Sequence, residues 1–269
     1  MRSSHWALLG VAVIVAAPSH AQEMRVVADA AWCRQDTGGW RAKPRHCEVR
    51  EATLPAGGTL AVDARPNGGI EVNGWDRSEV RLRVMVVATA PTEADARALA
   101  ERVQVETSGS VRATGPQGED RSGWWASYRL DVPRGQALKL RADNGGLHLS
   151  RLAGDVEVST VNGGLNLDDV GGRIHGRTVN GGIHVELAGA GWNGDGLDLA
   201  TTNGGVHLEL PADYNARLEA STVNGGVSSD VPLESRSRHS GGKVALELGR
   251  GGALLHLETT NGGLHIAKR

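Results

Sequence analysis

An Asn-Gly-Gly triplet that recurs along the chain constrains the fold more than any other feature of the sequence. In the middle of the chain the triplets follow one another at a period of 18 residues, and nearer the C terminus they return with looser spacing. The six asparagines that open these copies are Asn144, Asn162, Asn180, Asn203, Asn224 and Asn261. An isolated early copy begins at Asn67. Self-similarity at roughly 20 residues is typical of a solenoid, in which each repeat buries its apolar face by stacking on its neighbours.

The residues that follow each triplet alternate between apolar and polar, as in Leu147-His148-Leu149. Alternation with a period of two predicts β-strands with one buried face. Seven stacked rungs at ~4.8 Å would make a rod about 30 Å long. We expect Asn-Gly to supply the positive φ angles of a tight turn and the stacked Asn side chains to hydrogen-bond from rung to rung. The last repeat ends at the C terminus, where we expect Lys268 and Arg269 to protect an open strand edge.

The composition agrees with a thin core and many turns. The seven triplets hold 14 of the 38 glycines, so the glycine excess reflects turns and not disorder. Phe is absent and Tyr occurs twice, which leaves Val, Leu, Ile and Ala to fill the core. The 29 basic and 31 acidic residues nearly cancel, and no basic run stands out. This balance excludes nucleic acid as a partner.

Residues 1–21 are predicted to be a secretory signal peptide. Arg2 precedes an apolar run at residues 6–17, and Ser19-His20-Ala21 approximates a signal-peptidase site with cleavage after Ala21. The run is too short to span a membrane. We therefore predict an exported protein, periplasmic or at the cell surface, with no membrane span in the mature chain.

The mature chain divides into three predicted segments. They are an N-terminal cap at residues 22–56, a β-rich segment at 57–140 with one helix at about 92–103, and the Asn-Gly-Gly solenoid at 141–269. Thr92 is the expected helix N-cap. The predicted fold class is all-β, a β-solenoid with one short helix in its N-terminal half.

The cap contains both cysteines of the chain, Cys33 and Cys47. In an exported protein their spacing favours a disulfide that closes a small loop, and a metal or redox pair is the alternative. Trp32 and Trp40 lie beside them and are expected to form an apolar lid over the open end of the solenoid. Stacking on a glycan is the alternative role for these rings.

An export signal, a strand that ends in Val-Pro-Arg-Gly at residues 132–135, and serial Thr-Val-Asn-Gly-Gly strands occur together in this chain. This combination resembles the bacterial putative-adhesin family of β-strand-repeat envelope proteins, a domain of unknown function. The resemblance covers roughly residues 57–266. It implies a β-solenoid envelope protein with an adhesion role, and it supplies no catalytic or binding residues that could be transferred to this chain.

The polar residues four positions after each Asn are expected to form one outer column. They are His148, Asn166, His184, His207, Ser228 and His265. Imidazoles stacked about 5 Å apart could share a zinc or copper ion, which makes His148, His184, His207 and His265 the candidate metal ligands. A solvated polar ladder is the simpler interpretation, because Asn166 and Ser228 interrupt the run and no carboxylate lies in the column. No cofactor is predicted.

Two other kinds of site are alternatives. A carbohydrate-active enzyme on the same fold would use carboxylates on one face, and the candidates are Asp168, Asp169, Glu186 and Glu209. Residues 193–198 approximate one calcium-binding turn of a β-roll, although such turns act in tandem copies. The common hydrolase, metalloprotease and phosphate-loop motifs are absent.

The sequence therefore predicts an exported, non-enzymatic β-repeat protein that acts in adhesion or as an envelope scaffold. Its partner would be an unknown envelope protein or a surface glycan. A carbohydrate-active enzyme and a metal-binding module that uses the His column are the alternative functions.

Overall fold

A computed structural model describes residues 24–35, 44–118, 121–230, 238–240 and 242–269, with the backbone alone described at 238–240. The predicted signal peptide and Trp40 lie outside these residues. Within them the chain forms 22 strands and two helices. The all-β prediction is confirmed. Neither of these two helices has the length and apolar character that crossing a membrane requires.

Strands dominate both halves of the chain. The N-terminal half contains β1 (Arg25–Val27), α1 (Ala30–Gln35), β2 (Arg45–Pro55), β3 (Thr59–Asp63), β4 (Ile70–Trp75), β5 (Glu79–Thr89), α2 (Glu93–Glu101), β6 (Gln104–Glu106), β7 (Ser110–Thr114), β8 (Gly123–Pro133) and β9 (Ala137–Arg141). The C-terminal half contains β10 (Leu147–Ser150), β11 (Asp155–Thr160), β12 (Leu165–Asp168), β13 (Arg173–Asn180), β14 (Ile183–Glu186), β15 (Gly196–Asn203), β16 (Val206–Leu210), β17 (Ala216–Asn224), β18 (Val227–Ser229), β19 (Arg238–Ser240), β20 (Lys243–Leu248), β21 (Leu254–Asn261) and β22 (Leu264–Lys268).

The strands form two sheets of 11 strands each. Sheet A has the order β1-β2-β5-β8-β4-β10-β12-β14-β16-β22-β18, and sheet B has the order β19-β20-β17-β21-β15-β13-β11-β9-β3-β7-β6. From β9 onward through β18 the chain alternates between the sheets, so each rung consists of one strand in sheet B, an Asn-Gly-Gly turn and one strand in sheet A. Neighbouring rungs pair parallel and in register. The alternating Leu, Val and Ile side chains fill the space between the sheets.

The last rung in the sequence is not the last rung in the stack. Strand β21 lies between β15 and β17, and β22 lies between β16 and β18. The expectation of an open edge at Lys268 and Arg269 is therefore wrong. Every rung presents a turn of the same shape, so pairing along the stack does not have to follow sequence order. The far edge of β17 is instead covered by antiparallel β20.

The glycines of the triplets are needed for close packing and not for unusual φ angles. Gly68, with a φ of 155°, is the one triplet glycine with a φ in the positive range. A Cβ on Gly145 would lie 2.0 Å from the carbonyl oxygen of Gly68 in the next rung, and one on Gly163 would lie 2.1 Å from that of Gly145. The predicted role of Asn-Gly in supplying positive φ angles is therefore wrong for the other six turns. Glycine is needed at the first position of the turn because the turns stack too closely there for any side chain.

Two ladders of side-chain hydrogen bonds join the stacked turns. The predicted Asn ladder is present, and bonds of 2.8–3.1 Å connect Asn67, Asn144, Asn162, Asn180, Asn203, Asn261 and Asn224 in that spatial order. A second ladder consists of buried Thr hydroxyls that donate to the first-glycine carbonyl of the adjacent rung at 2.7–3.0 Å. Its donors are Thr160, Thr178, Thr201, Thr259 and Thr222. Backbone N–H groups bond the Asn and second-glycine carbonyls, so the Thr ladder satisfies the remaining turn acceptor.

Strands β1, β2 and β5 extend sheet A at one end, and one helix packs on each face of this extension. On the outer face, α1 buries Trp32 against Val49, Met85 and Val87, and the predicted disulfide joins α1 to β2 through Cys33 and Cys47. On the inner face, α2 packs against β2 and β5. The helix predicted at about 92–103 is present as α2, and Thr92 accepts a hydrogen bond from the Asp95 backbone as its N-cap. The prediction of a single helix is wrong, because α1 is a second one.

Replacing Gly145 by Ala should lower the free energy of unfolding by more than about 2 kcal/mol, because the new methyl group meets backbone that cannot move aside. Gly146 is the matched control. A Cβ there would lie 3.6 Å from the Gly164 carbonyl oxygen, so Gly146→Ala should cost less than about 1 kcal/mol. Denaturant unfolding of both variants measures the difference, and equal losses would contradict the packing explanation.

Replacing Thr201 by Val should cost about 1–3 kcal/mol of stability, because it removes the donor to the Gly181 carbonyl at a position that is 3% exposed. The neighbouring Thr202 is exposed, and Thr202→Val should change stability by less than about 0.5 kcal/mol. Thermal unfolding of the two variants is the measurement. A Thr201→Val protein as stable as the wild type would show that the Thr ladder is dispensable.

Candidate functional site

Three histidines lie side by side on the outer face of sheet A. In β14, β16 and β22 the residues on either side of each His are buried, so the imidazoles point outward. The strand register places His184 beside His207 and His207 beside His265. We call these three residues the imidazole column.

The rings of the imidazole column are stacked. The His184 and His207 ring centroids are 5.0 Å apart with planes 7° from parallel, and the His207 and His265 centroids are also 5.0 Å apart with planes at 19°. This spacing follows from the parallel, in-register pairing of the strands. The predicted column of stacked imidazoles is therefore present over three rungs.

The structure brings together three of the four predicted histidines. His148 has Glu71 and Asn166 as its neighbours on the two adjacent strands, so it does not stack on the imidazole column. The expectation that Ser228 interrupts the run is wrong, because β22 pairs with β16 and moves His265 ahead of Ser228 in the stack.

Carboxylates accompany the imidazole column. Two positions further along the same strands, Glu186 in β14 and Glu209 in β16 are neighbours on the same face. Oε1 of Glu209 lies 2.8 Å from Nε2 of His207, and Glu186 forms an ion pair with Arg269. The expectation that no carboxylate lies in the predicted outer column is wrong, because Glu71 occupies that column beside His148. At the other end, the Ser228 hydroxyl lies 2.8 Å from Nδ1 of His265.

One ligand atom from each of His184, His207 and Glu209 lies within 4.8 Å of the other two. Within the described residues this is the one group of three or more His, Cys or acidic side chains that is arranged in this way. The histidines line an open groove of about 710 Å³. The second glycines of the turns, including Gly182, Gly205 and Gly263, form part of its wall and leave the imidazoles accessible.

A second column, in which basic and acidic side chains alternate, lies on the outer face of sheet B. Its members are Lys139, Glu157, His175, Asp198 and His256 on successive rungs. This column was not predicted from the sequence, although each member stands five residues before a triplet Asn. The spacing was therefore a usable signal.

Asp198 is the centre of the sheet B column. Its carboxylate lies 2.9 Å from Nδ1 of His175 and 2.9 Å from Nδ1 of His256, and Arg177 donates to it at 3.1 Å. Burial raises the pKa of Asp198, but the hydrogen bond with His256 and the charges of Arg177 and His175 outweigh burial and hold the pKa below its usual value.

The two remaining candidate sites differ in how the structure arranges them. In the proposed calcium turn, Asp195 contacts Arg173 while Asp198 is held by the sheet B histidines, so the two carboxylates face different partners. Of the four candidate catalytic carboxylates, Asp168, Glu186 and Glu209 lie side by side on the outer face of sheet A, and Asp169 is exposed just after β12. Glu186 and Glu209 also lie two positions beyond His184 and His207 in their strands.

Comparisons with known proteins found one family match and similar solved structures. A family model described as Toastrack DUF4097 matches residues 53–267. A crystal structure described as a "putative cell adhesion protein" from Clostridium sporogenes ATCC 15579 is 9% identical with a TM-score of 0.43, and the match covers 83% of this chain and 100% of that one. A "putative adhesin" from Bacteroides fragilis NCTC 9343 is 11% identical with a TM-score of 0.30, covering 83% of this chain and 97% of that one. No curated protein matches the chain.

Replacing Asp198 by Asn should destabilise the protein most at neutral pH. Because its folded pKa lies below the unfolded value of about 3.9, the stabilisation is present above that pH and is lost as the pH falls through the folded pKa. The side chain is 37% exposed, so solvent screening limits the effect to about 1 kcal/mol or less.

Urea unfolding at pH 7 and at successive steps below pH 4 measures this dependence. The difference in unfolding free energy between wild type and Asp198→Asn should shrink as the pH falls. Asp195→Asn, at a position 73% exposed, is the control and should show a smaller difference at pH 7. A gap for Asp198→Asn that does not change with pH would rule out the proposed ionic contribution.

Proposed function

Because the chain belongs to the Toastrack DUF4097 family, we propose that it is an exported, non-enzymatic interaction module that acts in adhesion or as a scaffold in the bacterial envelope. The observation that carries the proposal is a rigid two-sheet frame whose outer faces present regular columns of polar side chains. On sheet A the imidazole column is part of a longer polar column that runs from Glu71 to His265 across six strands. The column on sheet B runs from Lys139 to His256 across five strands.

The rigidity of the frame favours a binding role. The Asn and Thr ladders join the turns of successive rungs, and the interior is filled with buried apolar side chains. A surface that is already ordered loses little conformational entropy on binding, so more of the contact energy appears as affinity. A polar surface of this kind suits a partner with complementary charges and hydrogen-bonding groups.

Export is supported by the predicted signal peptide and by the disulfide. Cys33 and Cys47 are bonded to each other, and disulfides persist mainly in oxidising compartments outside the cytoplasm. The disulfide also anchors α1 against β2, so oxidation should help to order the N-terminal segment.

The environment of the tryptophans favours a protein partner over a glycan. Glycan platforms use exposed aromatic rings, but Trp32 is 6% exposed and lies under the guanidinium of Arg129. Trp75 is half-buried, lies near Arg77 and donates its indole N–H to the Glu79 carbonyl. Trp124 and Trp192 also donate their indole N–H groups to backbone carbonyls.

Site-specific photocrosslinking in the source bacterium tests the proposal. A photoreactive amino acid would replace His148, exposed on the outer face of sheet A, or Glu157, exposed on that of sheet B. We expect a discrete protein adduct from at least one face in the exported, processed chain. The control position is Glu93 on α2, away from both columns, which should give no such adduct.

Two results would contradict the proposal. One is a processed chain that forms no adduct from either face. The other is release of reducing ends from envelope polysaccharide by the purified chain of residues 22–269, abolished in Glu209→Gln. That result would establish the carbohydrate-active enzyme in place of the binding module.

A further inference from the structure

We infer that His184, His207 and Glu209 form a binding site for a divalent transition-metal ion of the zinc class. The inference rests on the described side chains and is independent of the proposed role in the envelope. Three potential ligand atoms from two adjacent rungs already lie within 4.8 Å of one another. Within this group, Oε1 of Glu209 lies 2.8 Å from Nε2 of His207.

The donor atoms select the class of ion. Two imidazoles and one carboxylate suit Zn²⁺, Cu²⁺ or Ni²⁺, whereas Ca²⁺ and Mg²⁺ prefer oxygen ligands alone. Three protein ligands with an open position are typical of zinc sites that keep a bound water. The groove in front of the histidines leaves that position open to solvent.

Small side-chain rotations complete the geometry. Ligands held 2.0–2.1 Å from a tetrahedral ion are about 3.3 Å apart. His207 and Glu209, now 2.8 Å apart, must therefore separate by about 0.5 Å, and a pair at the 4.8 Å limit must close by roughly 1.5 Å. The nearly parallel rings of His184 and His207 must tilt toward each other, and the χ2 torsion of His has a broad energy profile. His207 and Glu209 are 34% and 32% exposed, so these rotations need no movement of the strands.

Glu186 and His265 lie beside this position. Glu186 lies beside Glu209 and is paired with Arg269, so one carboxylate of the two remains available to the ion. His265 stacks on His207 from the next rung and is oriented by Ser228. Its imidazole is therefore a neighbour of the site and the nearest replacement ligand.

The ion would join β14 to β16, two strands whose ligating residues are 23 positions apart in sequence. The unfolded chain does not hold these residues together, so the ion would bind the folded state preferentially and raise its stability. Stability is therefore a readout that does not depend on any activity of the protein.

Zn²⁺ titration of the chain of residues 22–269 tests the inference, with any polyhistidine tag removed and the protein first treated with chelator. We expect one ion per chain by calorimetry and a higher melting temperature at saturation. His207→Asn should weaken Zn²⁺ binding by at least about tenfold, and Glu209→Gln should weaken it to a similar extent. Co²⁺ as a spectroscopic probe should show visible bands of four-coordinate geometry in the wild type and lose them in His207→Asn.

His148→Asn is the matched control, because His148 lies on the same face but beyond Asn166. Asn is the chosen replacement because Asn166 already occupies this column between two His positions. Melting in the presence of chelator verifies that each variant is folded. The inference is overturned if the wild type binds no Zn²⁺, if His207→Asn binds it as tightly, or if His148→Asn weakens binding equally.

Discussion

The close stacking of the Asn-Gly-Gly turns is the constraint on which the rest of the structure depends. At the first glycine of each turn, the neighbouring carbonyl oxygen occupies the space that a Cβ would need. This approach brings the Asn side chains within hydrogen-bonding distance and lets buried Thr hydroxyls reach the glycine carbonyls. Because the same contact recurs at every rung, the strands have no freedom to slip in register.

Because the register is fixed, residues at the same position of neighbouring repeats lie side by side and form a column on the outer face of a sheet. Inward positions must remain apolar to fill the space between the sheets, while outward positions are free to vary in chemistry. Sheet A therefore carries imidazoles beside carboxylates, and sheet B carries basic and acidic side chains in alternation around Asp198. The ladders and the apolar core hold the frame together, while the outward columns differ in chemistry from one rung to the next.

Much of the fold could be predicted because it depends on local features. The strand alternation, the helix beginning after Thr92 and the Asn ladder all follow from short-range patterns, and the structure contains them. The role of the triplet glycines could not be predicted, because glycine can be required either for its backbone freedom or for its missing side chain, and sequence does not distinguish the two. The sheet B column was not predicted because its members differ in residue type from one rung to the next, although their spacing follows the repeat.

By itself the sequence determined which residues face inward, since alternation along a strand is a property of neighbouring residues. Only the tertiary structure decided which rungs are neighbours. All the turns have nearly the same shape, so any rung can stack on any other. The final rung, β21–β22, lies between the β15–β16 rung and the β17–β18 rung. That insertion placed His265 against His207. The surroundings of the candidate site thus depend on long-range strand pairing, which sequence order does not encode.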